Sequence, residues 1–235
     1  MKMLESISPN FDARAAGKRP IYLVLHYTDT ETAEEALSLL KGEDPAHKVS
    51  AHYFVDTDGT VTRLVDEEKR AWHAGKSYWE GEEDINSCSI GIEIQNPGHS
   101  NGYKTFPPAQ VAAVKELCKA IIARHGMAAC HVLGHSDVAP ARKTDPGELF
   151  PWEELAHEGI GVWPEKGAKG EGDIEALLTQ YGYDPRLDLK TRVTAFQRHF
   201  QPEVFRTPGK AGTPDAETLA RLRSLLAKKQ AQHKI

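Results

Sequence analysis

The sequence predicts an α/β domain, a sheet with helices packed on it, followed by a small unit of three helices. Three observations carry this. Apolar runs of strand length, beginning with residues 21–25, alternate with stretches of helical periodicity as far as Trp163. The polar, glycine-rich stretch EKGAKGEG after Pro164 has the composition of a linker between folded units. Beyond it only helical patterns recur.

Residues 21–26 are apolar and rich in branched side chains, and they run into polar Thr28, Asp29 and Thr30, so His26 ends a buried strand where a loop begins. Thr32 and Glu35 form a capping-box pair ahead of Ala36, Leu37 and Leu40, and Gly42 supplies a stop, which predicts a short helix. Residues 52–55 and 60–65 flank Asp56, Thr57, Asp58 and Gly59, a hairpin signal. Residues 89–95 alternate strictly: Ile90, Ile92 and Ile94 point one way, while Ser89, Gly91, Glu93 and Gln95 point the other. Glu93 therefore lies on a small, polar face.

Pro107 and Pro108 precede a helix with Val111, Val114, Cys118, Ile121 and Ile122 on one stripe, ending at Gly126 and expected to cover the sheet. Residues 131–134 read as a short strand, and residues 135–147, with Pro140, Pro146 and several charges, as a surface loop suited to function. After the linker come three helical patterns: 174–181 behind Asp173, 190–200 with Val193, Phe196 and Phe200 inward, and 214–226 behind Thr213. The terminal AKKQAQHKI has little to bury and is expected to fray. The boundaries that follow are a first domain at 1–164, a linker at 165–172 and a helical domain at 173–235.

Composition narrows the function classes. Hydrophobic residues make up 40% and charged residues 27% of the 235, ordinary for a globular protein and inconsistent with disorder as the main state. The net charge of -5, with no long basic stripe, excludes nucleic acid as a partner. No segment approaches the roughly 20 apolar residues of a spanning helix. The first residues, MKMLESISPNFDARAAGKRP, lack a signal-like apolar stretch or a lipid-attachment cysteine, so the chain as written reads as cytoplasmic, or as periplasmic if a leader has been removed. Cys88, Cys118 and Cys130 are odd in number and unpaired in pattern, and are expected to be buried free thiols. Oligomeric state leaves no signature in the sequence.

A catalytic zinc site uses three protein ligands and leaves one position open, and the candidate ligands here are His26, His135 and Asp145. Singly, each has an ordinary structural alternative: a strand-end histidine that hydrogen-bonds, or an aspartate that makes a turn before Pro and Gly. The strings LVLHYT, SAHYFVDTDGTV, AWHAG, SIGIEIQN and GHSDVAPARKTDPG, taken in that order, resemble the type 2 N-acetylmuramoyl-L-alanine amidases, the AmpD-like family distantly related to peptidoglycan recognition proteins.

The resemblance spans residues 21–163. It implies a central mixed β-sheet flanked by helices, a Zn2+ ion held by His26, His135 and Asp145, and Glu93 as the catalytic carboxylate. It also implies Lys143 as the group that stabilises the transition state. Arg142 either grips a substrate carboxylate through its planar fork or sits in solvent. Trp72 and His73 belong to a matched string and are candidates to line the groove, with core packing as the alternative for Trp72. His47, His99, His125 and His157 fall outside the strings and read as ordinary polar residues.

The expected activity is hydrolysis of the amide between N-acetylmuramic acid, or its anhydro form, and L-alanine in peptidoglycan or muropeptides. Tyr27 stands where recycling enzymes of the family commonly carry asparagine, so a strict anhydro-muropeptide specificity does not follow. The tail strings TAFQRHFQPE and GTPDAETLARL resemble a three-helix peptidoglycan-binding domain; the alternative is an appendage that only stabilises the first domain. A recognition protein that kept the groove and lost the activity is the competing reading, and retention of all three ligand types and the carboxylate favours the enzyme.

Overall fold

A computed structural model describes residues 2–44, 46–165 and 171–232. In chain order the elements are β1 (Met3–Glu5), β2 (Phe11–Ala13), β3 (Tyr22–Tyr27), α1 (Ala33–Leu40), β4 (Tyr53–Val55), β5 (Val61–Arg63), β6 (Lys69–Ala71) and α2 (Ile85–Cys88). They continue with β7 (Ser89–Ile94), α3 (Pro108–His125), β8 (Val132–Gly134), α4 (His135–Val138), α5 (Trp152–His157), α6 (Ile174–Tyr181), α7 (Leu189–Phe200) and α8 (Ala216–Gln232).

Six strands form a mixed sheet in the order β1-β5-β4-β7-β3-β8, in which only β4 and β5 pair antiparallel, as the hairpin predicted. β2 and β6 form a separate two-stranded sheet. β7, β3 and the edge strand β8 run parallel, with His26 in register with Glu93. Registered residues on parallel strands share a face, so the pairing puts His26 and Glu93 side by side at the carboxyl ends of their strands.

The alternation then sorts the two faces. Leu23, Leu25, Ile90, Ile92 and Ile94 point to the face covered by Val111, Val114, Leu117, Cys118 and Ile121 of α3 and Leu155 of α5. α3 ends where expected, with Gly126 in the left-handed region at φ 62°. On the opposite face, Tyr22, Val24 and Leu133 pack in one cluster with Trp79, Leu177 and Leu178 of α6, Phe196 and Phe200 of α7, and Leu222, Leu225 and Leu226 of α8. The three C-terminal helices thus share a core with the sheet. A smaller cluster joins Ala36 and Leu40 of α1 to Phe54 and Leu64.

Two expectations need correction. The 135–147 segment is not a surface loop throughout: it begins with α4, and His135, Ser136, Asp137, Val138 and Asp145 are all buried, because their polar groups find partners within the fold. The terminal stretch does not fray through its described part, because α8 runs on to Gln232. Lys229 lies over the Tyr181 ring at 5.1 Å, pairs with Glu80 and donates to the Tyr181 carbonyl, while Gln232 accepts from the Cys130 N–H at 3.0 Å. Most of the expected linker, residues 166–170, lies outside the described residues. The three cysteines are free and buried. No helix among the described residues is long and apolar enough to cross a membrane.

Candidate active site

His26, His135 and Asp145 come together. His26 Nδ1 lies 2.9 Å from His135 Nδ1 and 3.1 Å from Asp145 Oδ2, and His135 Nδ1 lies 3.0 Å from the same oxygen. All three residues are buried. β3 delivers His26 and α4, directly after β8, delivers His135; the Ser136 N–H donates to the Asp145 carbonyl at 2.9 Å, which ties the segments that carry His135 and Asp145 together.

The second nitrogen of each ring shows which nitrogen is left to bind. His135 Nε2 donates to the Ala74 carbonyl at 3.1 Å, so its Nδ1 carries the lone pair. For His26 the assignment runs through a chain. The Ser89 hydroxyl donates to the Ile85 carbonyl at 2.6 Å and therefore accepts from His73 Nε2 at 3.1 Å. His73 Nδ1 is then the acceptor for His26 Nε2–H at 3.0 Å, and His26 Nδ1 is left without a proton.

Two lone pairs and a carboxylate oxygen thus converge with no donor among them. A cation held between them would resolve that conflict. Ligand atoms held tetrahedrally at about 2.0–2.1 Å from a metal stand roughly 3.3 Å apart, close to the separations seen here. Burial pushes the His26 pKa down to about 4, so the ring is neutral near pH 7 and its lone pair is available.

The register also places Glu93 beside this group. Its Oε2 is buried with no hydrogen-bond partner, and its carboxyl is held well above the usual range by burial, then by the Asp145 charge, with Lys143 opposing. Gly91, two residues earlier on the same face, admits the His73 ring: a Cβ there would stand 2.5 Å from the ring.

A cleft of about 360 Å³ opens over these groups, lined by Trp72, His73, Glu93, His135, Lys143 and Asp145 among others. Lys143 is half-buried at its wall. Trp72 is half-buried at the same wall, which joins the packing role to the lining role. Arg142 also borders the cleft, but its Nε and Nη2 donate to the Lys76 carbonyl at 3.1 and 2.8 Å and its Nη2 to Ala74 at 2.8 Å. Those donors brace the loop whose Ala74 carbonyl orients His135.

His99, read from sequence as an ordinary polar residue, lines the cleft. It lies within hydrogen-bond distance of the Tyr27 hydroxyl at 2.8 Å and of Glu148 at 3.1 Å, and stacks on Tyr103 at 4.3 Å. The N-acetylmuramoyl-L-alanine amidase family model matches residues 16–148, more than half of the chain and every residue of this site. The chain belongs to that family.

Whole-chain comparisons agree. This amidase is 38% identical to N-acetylmuramoyl-L-alanine amidase AmiD of Escherichia coli K12, over 92% of this chain and 86% of that one. It is 34% identical to 1,6-anhydro-N-acetylmuramyl-L-alanine amidase AmpD of Citrobacter freundii, over 62% of this chain and 83% of that one. Among solved structures, E. coli AmiD in complex with the substrate anhydro-N-acetylmuramic acid-L-Ala-D-γ-Glu-L-Lys superposes with a TM-score of 0.77 at 35% identity, covering 93% of both chains. Pseudomonas aeruginosa AmpDh3 superposes with a TM-score of 0.79 at 32% identity, covering 96% of this chain and 99% of that one. The amidase fold expected from the sequence, a mixed sheet flanked by helices, is the fold these structures share.

Proposed function

We propose that this amidase is zinc-dependent and hydrolyses the amide between N-acetylmuramic acid, or its anhydro form, and L-alanine. The observation that carries the reading is the convergence of three buried, proton-free donor atoms within 3.1 Å of one another, with Glu93 in strand register beside one of them. Two imidazoles and one carboxylate make a donor set that would suit zinc. When bound, zinc supplies a Lewis acid that lowers the pKa of water towards about 7 and polarises the scissile carbonyl.

The remaining chemistry belongs to the chain. Glu93 takes the proton of the attacking water and later hands it to the departing L-alanine amine; a carboxyl with a raised pKa and an unengaged Oε2 suits a group that must hold that proton in between. Lys143, on the cleft wall, places a positive charge near the oxygen that becomes negative as the amide carbon turns tetrahedral. His73 and the Ala74 carbonyl engage the outer nitrogens of His26 and His135, which fixes the two rings with their Nδ1 atoms turned towards Asp145. The wall of Tyr27, Thr144 and His99 gives the substrate a polar rim, with Tyr27 and Thr144 hydroxyls 2.7 Å apart. The helical segment is read as a peptidoglycan-binding-like unit packed on the catalytic one.

Digestion of intact sacculi and of a soluble anhydro-muropeptide side by side, with products identified by mass, tests the reading. Release of peptides beginning with L-alanine, with the sugar freed intact, is the expected result. Cleavage within the stem peptide or the glycan would overturn it.

A further inference from the structure

His135 and Asp145 sit on one short stretch of chain, and that stretch is held from outside by the C-terminal helices. Asp137, two residues after His135 and 1% exposed, accepts three hydrogen bonds. The Gly134 N–H reaches Oδ2 at 2.7 Å, the Tyr183 hydroxyl reaches Oδ1 at 2.7 Å, and His199 Nδ1 reaches Oδ2 at 2.7 Å. The carboxylate thus bonds to the residue just before His135 and is gripped by two side chains from the helical segment. The His199 ring is itself fixed, stacked on Trp152 at 3.7 Å and on Phe200 at 3.7 Å.

The neighbouring residue on α7 does the same for the other ligand. Arg198 Nε donates to Glu148 Oε2 at 3.3 Å, three residues beyond Asp145. Consecutive residues of one helix therefore reach the two segments that present His135 and Asp145. A buried carboxylate that loses one of its donors is left under-satisfied, and the turn carrying it must shift or take in water. Metal affinity falls when groups outside the ligand set stop holding a ligand in place.

We propose that His199 and Tyr183 are positioning residues for the metal centre, acting on His135 through Asp137, so that the C-terminal helices form part of the catalytic scaffold whatever they bind elsewhere. The inference rests on reading His26, His135 and Asp145 as the metal ligands. It assigns the helical segment a task that a tethered binding module would not have.

The test uses full-length protein and two readouts, the zinc dissociation constant by chelator competition and the melting temperature in chelator. His199→Leu and Tyr183→Phe each remove one donor to Asp137; His199→Asn keeps a donor near the Nδ1 position; Leu225→Ala weakens the same apolar cluster without touching Asp137. Zinc binding should weaken roughly tenfold or more in His199→Leu and Tyr183→Phe, and less in His199→Asn. Leu225→Ala should melt earlier and bind zinc as the unaltered chain does. Unchanged zinc affinity in His199→Leu and Tyr183→Phe, or a loss no larger than that of Leu225→Ala, would overturn the inference while leaving the metal site intact. Failure of the unaltered chain to bind zinc would overturn the metal reading beneath it.

Discussion

Replacing Glu93 with glutamine keeps the side chain's size and removes its ability to accept and carry a proton. The structure lets the effect be separated from damage to the fold. Oε2 has no hydrogen-bond partner, so an amide there breaks none. Burial, and after it the Asp145 charge, raises the Glu93 pKa, so losing the carboxylate relieves a buried charge and a repulsion and should leave the melting temperature unchanged or slightly higher. What is lost is the acid–base step, on the order of 10² to 10⁴ in kcat, or about 2.7 to 5.4 kcal/mol of barrier. Because Glu93 is not among the three converging donor atoms, zinc content should stay at the level of the unaltered chain. The assay is release of L-alanine-headed peptide at saturating muropeptide, beside metal analysis of the same preparation. A Glu93→Gln protein that keeps more than a tenth of the turnover with zinc in place would refute the role, and one that loses its zinc would refute the geometry.

Asp145→Ala should behave in the opposite way, losing zinc because it removes one of three donors and the only formal negative charge among them; turnover should partly return at high added zinc, and a fully loaded Asp145→Ala protein would sink the assignment. Gly91→Ala places a methyl where the His73 ring lies, so the chain from Ser89 through His73 to His26 should break and zinc affinity should drop, measured by chelator competition; unchanged affinity would show that His73 does not matter to His26. Away from the site, Glu67 accepts from Tyr53 at 2.6 Å, lies 2.6 Å from His125 and pairs with Arg124. Burial raises its pKa, but these partners more than offset that and lower it. A lowered folded-state pKa stabilises above the unfolded value, about 4.3, and the benefit is lost as pH falls through the folded value. Glu67→Gln should therefore cost about 1–3 kcal/mol at pH 7, with the melting temperatures of the two proteins converging below about pH 4; a gap that widens in acid would contradict this.

How much of this was legible in the sequence depended on the range of the interaction. Strict alternation over Ser89–Ile94 put Glu93 on the polar face before any coordinates, because a strand's period of two needs only its own residues. The capping pair Thr32 and Glu35, the αL glycine Gly126 and the Asp-Gly hairpin were equally local, and Thr32 does accept from the Glu35 N–H. The ligand trio was visible only through the resemblance, since no local periodicity links His26 to residues more than a hundred positions away. The strands β1 and β2 were missed because their residues are largely exposed and carry no alternating pattern. The Asp137–His199 contact bridges 62 positions and joins two residue types that are common on surfaces, so nothing in composition could announce it. The same holds for Lys229, whose ammonium lies over the Tyr181 and Trp79 rings, which is why a charged tail read as fraying is helical instead.

On the proposed reading, one metal ion held by His26, His135 and Asp145 makes this chain an amidase. Its most direct test is a zinc add-back titration of metal-free protein, following release of L-alanine-headed peptide from an anhydro-muropeptide at each step. No turnover without metal, a linear rise with added zinc and a plateau at one equivalent per chain are the expected results. Full turnover after exhaustive metal removal would contradict that reading.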